Sequence, residues 1–294
     1  MLRMKNSFKG IFCVTAAGIC WGTTGTIQAF TPPEASPLSI GAARVGVSGA
    51  LLVALLLIRK GPSVFRGFKD FKGVLIAALG LAGLQLTFFS AVSLTGVSVG
   101  TMIAIGGAPP IAGLFGALIF HESLPLRWFC ATAMAISGCA MIALGGAAGT
   151  VTLSIPGILL AVAAAFSYSL EGVGMRFIRS GPIEATAMIV AVSGIMTLPC
   201  LLSSGLGWML TVRGALCVTL LALLCTILPC ILFIIGTKEV TLGTAYTLGL
   251  IEPLTAWFLS TVLLGERLSF IGVLGVAVLF SGLIFLARDG GKKQ

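Results

Sequence analysis

The sequence predicts an all-α polytopic membrane protein with ten transmembrane helices, arranged as two inverted repeats of five helices. Three observations predict this fold. The composition is apolar, the apolar residues form ten runs of membrane-spanning length, and unusual residues recur at a fixed spacing. Of 294 residues, 57% are hydrophobic and only 9% are charged, whereas a soluble domain has about 25% charged residues. The composition therefore excludes a soluble protein.

The ten apolar runs are each long enough to cross the hydrocarbon core of a bilayer, which takes about 20 helical residues. Short loops containing proline, glycine or serine separate them, and no soluble domain fits between them. The predicted spans cover residues 10–30, 38–58, 73–94, 98–120, 126–145, 155–177, 183–203, 214–236, 241–264 and 269–287.

The basic residues are distributed unevenly between the two sides of these spans. Fifteen Lys and Arg side chains fall at the two termini and in alternate loops, while Arg213 and Arg267 alone fall on the other side. Basic loops remain in the cytoplasm, and the number of spans is even. We therefore expect a multi-pass protein of the cell (inner) membrane with both termini cytoplasmic. The net charge of +9 then needs no nucleic-acid partner.

The eight cysteines and the single histidine indicate neither a disulfide framework nor a metal site. The cysteines fall inside or at the edges of apolar segments, form no CxxC motif, and are interpreted as small buried hydrophobic residues. The chain also has no phosphate-binding GxxxxGK[ST] motif. We expect no metal, no cofactor and no direct use of ATP.

A repeat relates the two halves of the chain, predicted to be residues 1–148 and 149–294. The matched residues are Gly10 with Gly157, Trp21 with Tyr168, Gly100 with Gly243, Pro110 with Pro253, and Glu122 with Glu266. Chance recurrence of small apolar residues is the alternative explanation. Against it, each half contains a mid-span proline followed by an acidic turn, and this combination is unusual in an apolar chain. Because five spans is an odd number, the second repeat is inverted, as is typical of secondary transporters.

The chain resembles the EamA type of the drug/metabolite transporter superfamily. The resemblance is carried by the segment Gly18-Ile19-Cys20-Trp21-Gly22, by the turns Glu122-Ser123-Leu124 and Gly265-Glu266-Arg267-Leu268, and by Gly138, Gly275 and Gly282 in the last helix of each half. It implies a carrier, commonly an exporter of amino acids or related metabolites, with a central cavity lined by both halves. Two departures are His121, where the family has glycine, and the doubled proline of the first half.

The ninth span contains Glu252 followed at once by Pro253. A carboxylate at the membrane centre costs about 2.5–3.5 kcal/mol. Pro253 also frees the carbonyl of Gly249, as Pro109 and Pro110 free two carbonyls in the fourth span. Freed carbonyls are tolerated where they line a wet cavity, so we predict that these helix breaks form walls of the substrate site. Glu252 is then a cation contact or proton carrier; a packing kink with a protonated Glu252 is the alternative.

Two further charged residues lie within predicted spans. Glu171 is a candidate for substrate binding or coupling, or else pairs with Arg176 or reaches water. Arg44 stays protonated and is expected either in an ion pair or in contact with substrate. Two carboxylates and one arginine leave a spare carboxyl group, so Glu252, Glu171 and Arg44 are candidates for coupling transport to protons.

Uncharged polar and aromatic residues complete the predicted substrate site. Aromatic rings beside a carboxylate hold an ammonium group by cation–π attraction, although packing and interfacial belts also explain membrane aromatics. These candidates are Trp21, Thr24, Gln28, Gln85, Phe88, Tyr168, Tyr246 and Trp257. His121, Glu122 and Glu266 are interpreted instead as parts of solvated turns.

The residues favour a secondary active transporter that is not an enzyme. An intramembrane enzyme needs a nucleophile–base pair or a metal cluster within the spans. A channel-like membrane protein could use the same helices and is a further alternative, but inverted repeats with interrupted helices fit alternating access better. The mixture of acids, one base and aromatics suits a zwitterion or amine better than an anion. We predict alternating-access export of amino acids or related small metabolites, with proton coupling an open question. Transport of organic cations is the alternative, and we expect a monomer or weak dimer.

Overall fold

The computed structural model describes residues 7–65, 69–145, 154–264 and 269–287. Within these ranges the chain forms ten helices long and apolar enough to cross a membrane, which confirms the predicted ten-span fold. The predicted boundary between the halves at residue 148, and the turn Gly265-Glu266-Arg267-Leu268, lie outside the described residues.

We number the membrane helices α1 to α10. Four of them, α1, α4, α8 and α9, are built from shorter segments. The bounds are α1 Phe8–Gly22 with Thr24–Ala29, α2 Pro37–Lys60, α3 Phe71–Thr95, α4 Val97–Gly106 with Ala108–Phe120, α5 Leu126–Gly145, α6 Ile155–Phe177, α7 Pro182–Ser203, α8 Val212–Ala222, Leu223–Ile227 and Leu228–Gly236, α9 Leu242–Gly249 with Ile251–Leu264, and α10 Phe270–Ala287. An even number of spans brings the start of α1 and the end of α10 to one side of the bundle, which we call the terminal side; the other is the opposite side.

Local sequence signals set many of these helix ends. A Ser or Thr side chain accepts a hydrogen bond from a backbone N–H of the first turn, which caps the helix. The caps are Ser7, Ser36, Ser154, Thr211, Thr241 and Ser269. At the end of α4, His121 adopts a left-handed conformation with φ of 53°. Glycine adopts that conformation readily at a helix C-terminus. This is the physical reason for the glycine that the family resemblance implies at this position.

The contacts between helices follow the repeat. When α1–α5 are exchanged with α6–α10, the contact of α1 with α8 becomes that of α6 with α3, and the contact of α4 with α6 becomes that of α9 with α1. The pairs α2 with α7, α4 with α9 and α5 with α10 map onto themselves. All of these contacts are present. The two halves therefore pack with approximate two-fold symmetry, as inverted repeats do.

Candidate functional site

A cavity lies in the middle of the bundle, where the four segmented helices are interrupted. α1 is broken at Thr23, α4 at Gly107 and α9 at Leu250, while α8 widens into one π-helical turn over Leu223–Ile227. The α4 and α9 breaks are two and three residues before Pro109 and Pro253. The cavity has a volume of about 110 Å³, which accommodates several water molecules or a small solute.

Most of the sequence-predicted residues line this one cavity. Its lining includes Trp21, Thr24 and Gln28 of α1, Arg44 of α2, Gln85 and Phe88 of α3, Tyr168 and Glu171 of α6, and Glu252 of α9. These side chains come from both halves of the chain. In several helices they lie well towards the opposite side, as Gln28 does near the end of α1, so the cavity extends in that direction.

The two carboxylates in the cavity are not neutralised by direct contacts. Among the described residues, neither Glu171 nor Glu252 has a hydrogen-bond or ion-pair partner. Glu171 is only 3% exposed, and its side chain faces the cavity. A buried carboxylate without a partner is unfavourable. The site is therefore prepared for a cation, a hydrogen-bond donor or a proton.

Arg44 is held by an amide instead of by a carboxylate. In the amide orientation that satisfies both groups, Oε1 of Gln85 accepts hydrogen bonds from Nε and Nη2 of Arg44, each at 3.0 Å. A neutral partner orients the guanidinium without cancelling its charge. Within the described part of the chain Arg44 forms no ion pair, and it faces the same cavity as Glu171 and Glu252.

Aromatic rings close the terminal side of the cavity. Trp21 and Tyr168, which the repeat relates, meet edge to face at 5.9 Å between ring centroids. Behind them Tyr246 contacts Tyr168 at 4.8 Å and Phe233 at 5.3 Å. Phe233 and Tyr246 lie near the terminal ends of α8 and α9, so this aromatic cluster separates the cavity from the terminal side.

Tyr246 and Trp257 are the two predicted substrate residues that the structure does not place in the cavity lining. Tyr246 is buried behind Tyr168, and its hydroxyl bonds the backbone of α6. Trp257 is five residues after Glu252, which turns a helical side chain by about 140°. It therefore packs towards α5 and α10, beside Cys139 and Leu279.

Several cavity residues were not anticipated from the sequence, namely Leu81, Leu84, Phe89, Ile105, Cys225, Thr226 and Cys230. Pro229 was an available signal for the α8 residues, because it cannot donate to the carbonyl of Cys225. The carbonyl of Leu221, just before the π-helical turn, accepts a hydrogen bond from the Thr226 hydroxyl at 3.1 Å. The aliphatic residues and Phe89 carry no signal that separates a cavity wall from ordinary helix packing.

A polar cluster, which we call the terminal clamp, joins the two halves on the terminal side. Glu122 accepts from Nη2 of Arg176 at 2.5 Å and from the N–H of Leu242 at 2.8 Å. Nη1 of Arg176 donates to the carbonyl of Val240 at 2.6 Å and to that of Thr237. The interpretation of Glu122 as part of a solvated turn is wrong, because it is 7% exposed and paired. Arg176, for its part, pairs with Glu122 and not with Glu171.

Charge and burial act against each other in this clamp. Burial raises the pKa of Glu122, while Arg176 and the N–H of Leu242 act in the opposite direction. The ion pair requires ionised Glu122, so the clamp weakens as the pH falls through that raised pKa. Nearby, burial opposes ionisation of Asp70, but hydrogen bonds from Ser180 and Arg179 prevail and lower its pKa.

Comparison with known proteins identifies the family. The EamA-like transporter family matches residues 8–144 and again residues 155–288. The chain belongs to this family. The EamA-like chain is 34% identical to the Uncharacterized transporter YwfM of Bacillus subtilis (strain 168), over 99% of its own length and 97% of that protein. It is 21% identical to the Uncharacterized inner membrane transporter YicL of Salmonella typhimurium (strain LT2), over 99% of each chain.

A solved structure shows the same fold. A protein described only as "Crystal structure of protein" superposes on this EamA-like chain with a TM-score of 0.82 at 21% identity, covering 97% of this chain and 100% of that one. The family match and the ten membrane-spanning helices make the protein a multi-pass membrane transporter of EamA type.

Proposed function

We propose that this transporter exports amino acids or related small metabolites by alternating access. The observation that carries the proposal is the charge arrangement of the cavity, in which Arg44 and the unpaired Glu171 and Glu252 face one space. The carboxylates bind the substrate ammonium group, and Arg44 binds its carboxylate as a bidentate partner. Export is the direction that the family resemblance implies.

Proton coupling follows from the same charges. With both carboxylates ionised, the two carboxylates and one guanidinium give the empty cavity one net negative charge, and a bound zwitterion does not change that sum. A proton on one carboxylate neutralises the loaded site, which lowers the cost of moving it through the membrane interior. We propose that Glu252 or Glu171 carries this proton.

The terminal clamp supports alternating access over a channel. A channel needs a continuous route, whereas here the aromatic cluster and the clamp close the terminal side while the cavity extends towards the opposite side. We propose that the clamp opens when the cavity closes on the opposite side. The positive-inside distribution, and the name of the Salmonella relative, support an inner-membrane location with the terminal side cytoplasmic.

Transport of organic cations is the second candidate, favoured by the aromatic rings of Trp21 and Phe88 in the same cavity as the carboxylates. Such rings attract desolvated ammonium groups by about 2 kcal/mol. Arg44 separates the two candidates. If Arg44 binds the substrate carboxylate, we expect Arg44→Gln to abolish binding of amino acids and to leave binding of amines that lack a carboxylate intact.

Ligand screening followed by counterflow tests the proposed function. Purified protein is screened by thermal shift against amino acids and amines, and stabilising compounds are then assayed for exchange in proteoliposomes. We expect labelled amino acid to accumulate against unlabelled amino acid on the other side, because a carrier shows this trans-acceleration and a channel does not. Stabilisation by dicarboxylates or sugar phosphates alone contradicts the proposed substrate class.

A further inference from the structure

The hydroxyl of Tyr246 occupies an unusual position between two backbone groups of α6. It accepts a hydrogen bond from the N–H of Gly172 at 3.1 Å and donates one to the carbonyl of Tyr168. In a regular α-helix these two groups, four residues apart, bond each other. A side chain from α9 thus hydrogen-bonds both backbone groups of one turn of α6, in a helix that runs without interruption from Ile155 to Phe177.

This contact lies beside the cavity carboxylate. Glu171 immediately precedes Gly172, and its own backbone packs against α3 at Gly80. A Cβ atom at position 80 would lie 2.3 Å from the Glu171 nitrogen, and one at position 172 would lie 2.6 Å from the Tyr246 hydroxyl. Both glycines are required for these close approaches. The backbone that carries Glu171 is therefore held on one side by α3 and on the other by Tyr246.

We propose that Tyr246 is a positioning residue that directs Glu171 into the substrate cavity. It does not line the cavity, and it acts through the α6 backbone. Without the hydroxyl, α9 no longer holds this turn of α6, and the side chain of Glu171 shifts relative to the cavity. The inference rests on the proposed role of Glu171 as a substrate contact.

The same contact connects the cavity to the terminal clamp. Tyr246 is one helical turn after Leu242, whose N–H is bonded to Glu122. Arg176, the cation of the clamp, is five residues after Glu171 on α6. A movement of α9 that releases Leu242 therefore also moves the hydroxyl that sets the direction of Glu171. Substrate contact and terminal closure share one structural element.

The chain offers a closely matched control for Tyr246→Phe. Thr247, the next residue of α9, bonds Thr132 of α5 through its hydroxyl at 2.9 Å. Thr247→Val thus also removes a buried hydroxyl bond between helices, but one remote from α6. The titratable and charged groups that share the cavity with Glu171 are Tyr168, Arg44 of α2, Cys225 and Cys230 of α8, and Glu252 of α9, and both variants leave them unchanged.

Infrared spectroscopy of the purified full-length protein in lipid tests the inference without any substrate. The carboxyl band of Glu171 is assigned by its loss in Glu171→Gln and is followed during a pH titration. We expect Tyr246→Phe to move the band and to shift its titration midpoint by about half a pH unit or more, while Thr247→Val retains the parent values. Equal behaviour of Tyr246→Phe and Thr247→Val, whether both shifted or both unshifted, overturns the inference.

A second variant covers the case in which Tyr246→Phe does not fold. Gly172→Ala keeps the tyrosine but displaces its hydroxyl, so it should shift the Glu171 band in the same way; an unshifted band in this variant overturns the inference. Because the measurement needs no ligand, a shifted band in a protein that transports no amino compound refutes the proposed function and retains the positioning role.

Discussion

The terminal and opposite sides of the bundle are built from related repeats but are joined very differently. On the terminal side, charged side chains connect the halves: Glu122 with Arg176 at 2.5 Å, Lys60 with Glu184 at 2.5 Å, and Asp70 with the N–H groups of Arg179 and Ser180. On the opposite side, the described residues form no ion pair between the halves. The polar connections there include Nε of Arg213 to the carbonyl of Phe30 at 2.6 Å.

This difference can be traced to one position of the repeat. Glu122 has a repeat counterpart in Glu266, but Arg176 near the end of α6 corresponds to Ala29 near the end of α1. The number of residues from Ala29 to Arg176 equals that from Trp21 to Tyr168. At this position of the repeat, a cation is therefore present in the second half only. Similar halves give unequal ends, and in this structure the end with the clamp is closed.

The largest effect is expected from Arg176→Gln. Removal of one partner from a buried ion pair costs about 3–5 kcal/mol, enough to move a two-state equilibrium by more than about 100-fold. Spin labels at the exposed positions 123 and 238, in a background with the native cysteines replaced, report the distance across the terminal side. We expect the variant to add a population with a longer distance, and an unchanged distribution contradicts the role of the clamp.

The second prediction concerns a difference between the halves at the cavity. Glu252 corresponds to Pro109 in the repeat, so the carboxylate occurs in one half only. We expect Glu252→Gln and Glu171→Gln each to weaken amino-acid binding by about 10- to 100-fold, as for loss of a charged hydrogen bond. Proteoliposome transport measured across pH then decides on coupling. If neither variant alters the pH dependence of the parent, the proposed proton carrier is excluded.

A smaller effect is expected from Lys60→Gln, which breaks a second ion pair between the halves on the terminal side, that of Lys60 with Glu184. The Lys60 side chain is 55% exposed, and exposed pairs contribute about 0–1 kcal/mol. The spin-label distances should therefore stay close to those of the parent. A terminal opening as large as that of Arg176→Gln would show that total charge on this side, and not the buried clamp, keeps it closed.

The smallest effect is expected from Asp70→Asn, and it disappears in acid. The pKa of Asp70 is lowered in the folded protein, so its contribution to stability is present above its ordinary pKa and is lost as the pH falls through the folded value. The melting temperatures of Asp70→Asn and the parent should differ at neutral pH. This difference should shrink only as the pH falls below about 4. A difference that persists in strong acid rules out this ionisation as its cause.

The sequence predicted the helices and most of the cavity for one physical reason. Charges and prolines in an apolar run are costly, so Glu171, Glu252, Arg44 and Pro253 are conspicuous. The terminal clamp could not be predicted in the same way. Glu122 and Arg176 are 54 residues apart, and a glutamate at a span end resembles a solvated turn until the packing of α6 and α9 buries it. The position of Tyr246 likewise depends on which face of α9 packs against α6, and the sequence alone does not define that face.

Accessibility of the cavity from each side tests the central claim most directly. A single cysteine is placed at Gln28, which lines the cavity, in a background with the native cysteines replaced. It is then treated with a membrane-impermeant maleimide from one side of the membrane at a time. We predict labelling from the opposite side and protection from the terminal side, with terminal labelling gained in Arg176→Gln. Equal labelling from both sides of the parent would contradict a cavity closed by the terminal clamp.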